Sequence, residues 1–181
     1  GTDEKNKIEL PDSQTVEKIE KDLKKADFEV KSVTVGEKRR YPAPPFTTST
    51  LQQEAARKLG FTAKKTMAAA QQLYEGVEIK GSGSVGLITY MRTDSLRISN
   101  EAVSECRNYI GEAFGKTYVP QKPKFYKTKK NAQDAHEAIR PTDIAMTPER
   151  LKESLSRDQF RLYQLIWKRF VASRMTPAVF E

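Results

Sequence analysis

Between residues 41 and 46 the chain reads YPAPPF, with prolines at positions 42, 44 and 45. Proline has no amide proton to give a helix interior or a central strand, and its ring locks φ. The stretch is therefore a stiff extended linker, and a domain boundary belongs there. With 181 residues, the chain can build one sizeable domain, or one domain and part of another. The linker divides it into a short N-terminal part and a long remainder.

Residues 1–12 read as a linker. From Ser13 the apolar residues Val16, Ile19, Leu23 and Ala26 follow the helical period, with Asp12 or Ser13 as cap. FEVKSVTV, Phe28 to Val35, alternates like a strand, and its change of phase near Ser32 predicts a bulge. Beyond the linker, Ser49 or Thr50 is expected to cap a helix over Leu51–Leu59, which Gly60 ends in the left-handed conformation. Thr62 caps a second helix with Met67, Ala70, Leu73 and Tyr74 on its apolar face, completing a helix-turn-helix pair. VEIKGSGSVGLITYMR then predicts two short strands joined by GSGS, like the wing of a winged-helix module.

Ser99 or Asn100 caps a further helix that turns Val103, Cys106, Ile110 and Ala113 to one side. NAQDAHEAIRPTD reads as a short helix stopped before Pro141. Thr147 to Arg150 is a cap with proline at the first helical position, and a long helix follows. Its stripe of Phe160, Tyr163, Ile166, Trp167 and Phe170 repeats every three or four residues, as core packing requires. At MTPAVFE a new strand begins as the chain stops, so a piece of a longer protein is expected. The fold class is mainly α with short β elements, α+β.

Charge narrows the function. Net charge is +8 and the pI about 9.5, which favours a polyanionic partner. KTYVPQKPKFYKTKK, Lys116 to Lys130, holds six lysines and three aromatics but no acid. It is either a solvated basic loop or a strand-binding loop in which cations meet phosphates and Tyr118, Phe125 or Tyr126 stack on bases. No apolar run reaches the length of a membrane span, and the N-terminus is no signal peptide. The single cysteine excludes a disulfide framework and a cysteine zinc site, and agrees with a reducing, cytoplasmic setting. No phosphate-cradling GxxxxGK[ST] supports ATP hydrolysis.

The chemistry-bearing residues lie in GLITYMRTDS, Gly86 to Ser95, and in HEAIR, His136 to Arg140. A strand's two-residue period puts Tyr90 and Arg92 on one face. A phenol has a pKa of about 10 and needs help to act as a nucleophile at neutral pH. Arg92 can supply it by stabilising a phenolate or gripping a phosphate. His136 is the only histidine, and Arg140 four residues later shares its face if the segment is helical. The residues alone also allow plain packing.

GLITYMRTDS closely resembles the active-site segment of the type IA DNA topoisomerases. QDAHEAIRPTD, PPFTTSTLQQEAARKLGFTAKKTMAAAQQLYE and LYQLIWKRFVASRMTPA resemble three further segments of that family, in family order, over roughly residues 41–179. The resemblance implies that Tyr90 attacks a phosphodiester of single-stranded DNA and keeps a 5′-phosphotyrosyl link until the strand is resealed, relaxing negative supercoils without ATP. It implies that Arg92 contacts the scissile phosphate and that His136 assists in the same site. The DNA contacts expected are Thr89, Thr93, Asp94, Ser95, Arg140, Lys122, Lys124, Lys127, Lys129 and Lys130.

In the family, Mg²⁺ is bound by acidic residues preceding this region, and this chain has no DxDxE-type cluster. The resemblance thus implies a metal site outside the chain, none within it, and inactivity of the chain alone. It also implies that residues 1–46 and 145–181 form part of an arch, with 47–144 as the helical tyrosine domain inserted in it. The implied partners are single-stranded or negatively supercoiled DNA and the remaining domains of the same polypeptide. The implied state is a cytoplasmic, nucleoid-associated monomer, not a membrane protein. The competing reading is a non-enzymatic winged-helix DNA-binding module. Its second helix, AKKTMAAAQQLYE, has mostly alanine where base-reading side chains belong.

Overall fold

The computed structural model describes residues 10–126 and 136–180, in two units, residues 10–36 and 37–180. In the first unit, α1 spans Ser13–Lys25 and is capped by the Asp12 carboxylate, which accepts the Thr15 amide proton at 2.7 Å. Lys24 and Lys25 lie in its last turn, where cations complement the helix dipole. The strand expected over Phe28–Val35 does not form. Phe28, Val30, Val33 and Val35 are 73–80% exposed, and no ladder holds their backbone. Alternation yields a strand only where a neighbour takes the backbone hydrogen bonds and something covers the apolar face.

The second unit opens with β1, Lys38–Arg40, paired antiparallel with β4, Ala178–Phe180, so that Lys38 faces Phe180 and Arg40 faces Ala178. The proline stretch carries no helix or ladder strand. Next come α2 (Thr48–Leu59), α3 (Ala63–Glu75), the hairpin of β2 (Val77–Ile79) and β3 (Gly83–Val85), and α4 (Asn100–Ala113). A 3-10 turn at Lys116–Tyr118, the short α5 (Pro148–Leu151) and α6 (Arg157–Ser173) complete it. The architecture is α+β, mainly helical with short antiparallel strands. Among the described residues no helix is long and apolar enough to cross a membrane.

The caps follow from local chemistry. α2 begins earlier than expected, because Thr47, not Ser49 or Thr50, is its cap. The Thr47 hydroxyl accepts the Thr50 amide proton and the Thr50 hydroxyl accepts that of Thr47, a reciprocal box that satisfies two otherwise orphaned donors. Four hydroxyl residues in a row offered several equivalent starts, and the box chose one. Gly60, at φ 69°, ends α2 in the left-handed region, and Thr62 caps α3. Ser99 caps α4, which buries Val103, Cys106 and Ile110 but leaves Ala113 exposed in its last turn.

The core forms where α6 lies against α2 and α3. Leu51, Ala55, Ala70 and Leu73 are buried there, as are Leu162, Tyr163, Ile166, Trp167 and Phe170, while Phe160 is half-buried. The polar ends of the aromatic stripe also find partners. The Tyr163 hydroxyl donates to the Met146 carbonyl at 2.6 Å, and the Trp167 indole donates to that of Ile144 at 3.2 Å. Burial pushes the Cys106 thiol up to about 12, so it stays protonated and serves as core.

Two further expectations are corrected. The strand predicted through LITYMR stops at Val85, because Gly86 passes directly beneath Tyr74. A Cβ at Gly86 would lie 2.8 Å from the Tyr74 carbonyl oxygen, so the close approach needs glycine. Residues 136–143 are not helical, so His136 and Arg140 share no helix face; residues 131–135 lie outside the described residues. Here the backbone bonds run to distant segments, from the Ala138 amide to Arg97 and from that of Ile139 to Phe46.

On the other side of α2, Glu54 is nearly buried and meets Arg57, Lys58 at 2.8 Å and Arg169 at 3.7 Å. The Lys58 hydrogen bond, then the charges of Lys58, Arg169 and Arg57, hold its pKa below the ordinary value against the opposing effect of burial. A lowered carboxylate pKa contributes stability that is complete above the unfolded value of 4.5 and lost as pH falls through the folded one. Glu54→Gln is expected to cost about 1–2 kcal/mol at neutral pH, discounted for the exposure of Arg57 and Lys58. Urea unfolding should show this gap between wild type and variant close as the pH is taken below that range.

Candidate nucleic-acid site

Three segments meet at the N-terminus of α2: that helix end, the extended run 86–98, and the returning chain 136–142. The run 86–98 has no sheet ladder beyond an isolated bridge between Ile88 and Pro141. Its alternation nevertheless survives: Met91, Thr93 and Ser95 are buried, while Tyr90, Arg92 and Asp94 are exposed. Tyr90 and Arg92 therefore emerge on one side, as the two-residue period predicts.

Hydroxyls replace the missing ladder. The Thr48 hydroxyl donates to the Met91 carbonyl at 2.7 Å and accepts the Thr93 amide proton at 2.8 Å. The Thr48 amide donates to the Thr93 carbonyl at 2.9 Å. One residue of α2 thus clamps the backbone on both sides of Arg92. On the other flank the Thr89 hydroxyl donates to the Ala138 carbonyl at 2.8 Å and accepts the Arg140 amide proton at 3.0 Å. The hydroxyls of Thr93 and Ser95 accept the amide protons of Ser95 and Arg97.

An open concavity of about 520 Å³ lies at this junction, lined by Thr47, Thr48, Ser49, Arg92, Thr93, Asp94 and His136. Tyr90 stands beside it, 37% exposed, with its ring 6.0 Å from that of His136 and edge-on to Tyr74 at 5.3 Å. The Ser49 amide has no acceptor among the described residues and lies in the first turn of α2, where the helix end is partly positive. Asp94 is the one carboxylate in the lining among the described residues. A guanidinium, an imidazole and a helix N-terminus around an open hollow suit phosphate oxygens.

The remaining sequence candidates are placed differently. Arg140 donates from Nε to Glu137 at 2.8 Å and from Nη1 to the Pro141 carbonyl at 2.9 Å, while Glu137 also accepts the Ser99 amide proton. Arg140 therefore braces the returning segment and does not line the hollow. Thr89 and Ser95 are occupied with backbone. Lys122 is exposed, and Lys124 donates to the Met175 carbonyl at 2.9 Å while lying over the Tyr41 ring. Burial lowers the Lys124 pKa.

Tyr126 is not a free stacking platform, because its hydroxyl donates to Ser173 and Arg174 covers its ring. Tyr118 packs toward Phe114, and Phe125 remains exposed. Lys127, Lys129 and Lys130 lie outside the described residues. Sequence reasoning passed over Thr47, Thr48 and Ser49 as site residues, along with Glu137 and Tyr74. The cluster TTST directly after a rigid linker was the available signal, since a helix N-terminus held by prolines is a positioned anion site.

The sequence model of a family described as DNA topoisomerase matches residues 2–181. The chain belongs to the type IA DNA topoisomerase family. It is similar to full-length topoisomerase I from Thermotoga maritima, with 48% identity and a TM-score of 0.73 over 98% of this chain. The match spans 27% of the Thermotoga chain, so this chain corresponds to about a quarter of that topoisomerase. In this topoisomerase segment Arg92 and His136 line one hollow, and the Tyr90 ring stands beside it next to that of His136.

The Thr48 clamp is directly testable. Thr48→Val keeps the shape but leaves the Thr93 amide and Met91 carbonyl without their partner, and is expected to cost about 1–3 kcal/mol. Thr48→Ser retains the hydroxyl and should recover most of that loss. Urea unfolding of the two variants beside wild type gives the comparison, and equal stabilities would show that the clamp carries no weight.

Proposed function

We propose that this chain is the strand-cleaving segment of a DNA topoisomerase, with Tyr90 as its nucleophile. The observation carrying this reading is the emergence of Tyr90 and Arg92 on one side of a clamped extended run, beside a hollow that also holds His136. The Tyr90 phenol oxygen attacks a backbone phosphorus of single-stranded DNA and loses its proton. The phosphorus–O3′ bond breaks, the 3′ oxygen leaves and takes up a proton, and the 5′ phosphate stays on Tyr90. Attack of the 3′ hydroxyl reverses each step. One phosphodiester is exchanged for another, so the cycle needs no ATP.

Arg92 offers a planar fork to the non-bridging oxygens and stabilises the charge that develops on them. His136, beside the Tyr90 ring, positions the phosphate. Asp94 faces the hollow and can accept a hydrogen bond from the 3′ hydroxyl that cleavage releases. Among the described residues no group of three or more histidine, cysteine, aspartate or glutamate side chains could hold a metal ion. The described residues do not form a Mg²⁺ site, and we assign that ion to residues outside this chain.

Residues 47–144 are read as the tyrosine domain, with 1–46 and 145–181 as arch. The antiparallel pair of β1 and β4 supports the arch reading by bringing residues 38–40 to 178–180. The protein is read as a cytoplasmic monomer acting on negatively supercoiled DNA with the remaining domains of its polypeptide. A base-reading winged-helix module fits less well, since the polar side chains of α3 are engaged within the protein, Lys65 with Asp158, Gln71 with Glu75 and Gln72 with Gln159.

In the longer protein, Tyr90→Phe is expected to abolish covalent adducts on a 3′-end-labelled oligonucleotide while leaving its binding unchanged. Arg92→Lys should lower adduct formation about 10²-fold, because an ammonium cannot reproduce the fork. Denaturing gels read both. The 181-residue chain alone should not relax supercoiled plasmid with Mg²⁺ present. Normal adduct yield from Tyr90→Phe would overturn the assignment.

A further inference from the structure

The opposite half of α2 borders a second hollow of about 570 Å³ that shares no lining residue with the first. Among the described residues its cations are Arg40, Arg57, Lys58, Arg161, Lys168 and Arg169, and Glu54 is the single carboxylate. That carboxylate is shared by Arg57, Lys58 and Arg169. Arg40 and Lys168 have no ion pair among the described residues, and Arg161 donates to the Leu59 carbonyl at 3.1 Å and lies over the Phe61 ring. One negative charge thus faces six positive ones in a partly enclosed groove.

The excess is structural, not only superficial. Arg169 has a side chain only 20% exposed and stacks over the Phe46 ring at 4.4 Å. Desolvation lowers its pKa, and Glu54 at 3.7 Å only partly offsets this. Desolvating a cation without a matching anion is costly, and a bound anion removes the cost.

We propose that this groove is a second DNA-backbone site, separate from the Tyr90 hollow. The spacing favours a strand over a lone carboxylate. Arg161 and Lys168 are seven residues apart on α6, two turns or about 10.5 Å along one face. A stacked strand rises about 3.4 Å per nucleotide along its axis, so this length of α6 matches about three nucleotides. Arg57 and Lys58 face them from α2, and Leu59, Leu165 and Ala172 give the groove an apolar floor for sugars and bases. That the strand is DNA rests on the function proposed above.

Arg57 and Lys168 suit a test because both are exposed and neither lines the Tyr90 hollow. The 181-residue chain, the double variant Arg57→Gln/Lys168→Gln, Arg92→Gln and the triple variant are titrated with a fluorescent single-stranded oligonucleotide at stepped salt, with circular dichroism confirming the fold. The double variant should lower the slope of log affinity against log salt by about 1.4, or about 0.7 for each phosphate released. Arg92→Gln should lower it further, and the triple variant should show the sum. An unchanged slope in the double variant, or no binding by wild type, overturns the proposal; the first result leaves the groove to an acidic polypeptide. A reduced slope supports the groove even if Tyr90→Phe retains its adduct, and an unchanged slope overturns it even if that adduct is lost.

Discussion

The extended run from Gly86 to Ile98 carries the candidate nucleophile, yet no sheet supports it, and its backbone donors and acceptors must be satisfied some other way. A buried amide or carbonyl without a partner costs about as much as a lost hydrogen bond. Thr48 meets this requirement from α2, taking the Met91 carbonyl and the Thr93 amide with one hydroxyl, while Thr89 ties the other flank to the returning chain. Because the clamp sits on both sides of residue 92, the Arg92 side chain leaves a backbone held at two neighbouring points. The rigidity comes from a helix end capped by its own threonine box and held behind by a proline linker. A site on an otherwise irregular segment thereby acquires much of the definition of one on regular structure.

Charge is organised by the same helix. The N-terminal end of α2 faces a hollow with Arg92, His136 and Asp94, and the C-terminal half faces a groove with six cations around Glu54. Both hollows flank one twelve-residue helix, and none of their lining residues is shared. The overall +8 charge is therefore not spread evenly. It is gathered at surfaces the fold shapes, while Lys124 and Arg140, equally basic in sequence, are committed to carbonyls and to Glu137.

Much of the architecture was legible because it depends on neighbours in sequence. Gly60 ended α2 by the backbone freedom that only glycine has without strain, and Thr62 and Ser99 capped their helices by reaching an amide three residues on. The aromatic stripe of α6 packed as its spacing required. Phe28–Val35 failed as a strand, since alternation carries no information about whether a partner strand is present. HEAIR failed as a helix because the amides of Ala138 and Ile139 are taken by Arg97 and Phe46, residues far away in the chain.

For this protein, the sequence by itself determined the long helices, the caps of α3 and α4 and the family, because those rest on local torsions and on extended motifs that can be read in order. It also placed Tyr90 and Arg92 on one side of an extended run. Tertiary structure alone decided which basic and hydroxyl residues remain available to a ligand. Arg92 faces an open hollow and Arg140 is bound to a carboxylate, and Thr48 became a backbone clamp while the Ser49 amide found no acceptor among the described residues. No local rule separates these outcomes, because each depends on which distant group arrives within about 3 Å of a side chain, and the packing of α2 against segments over forty residues away sets that.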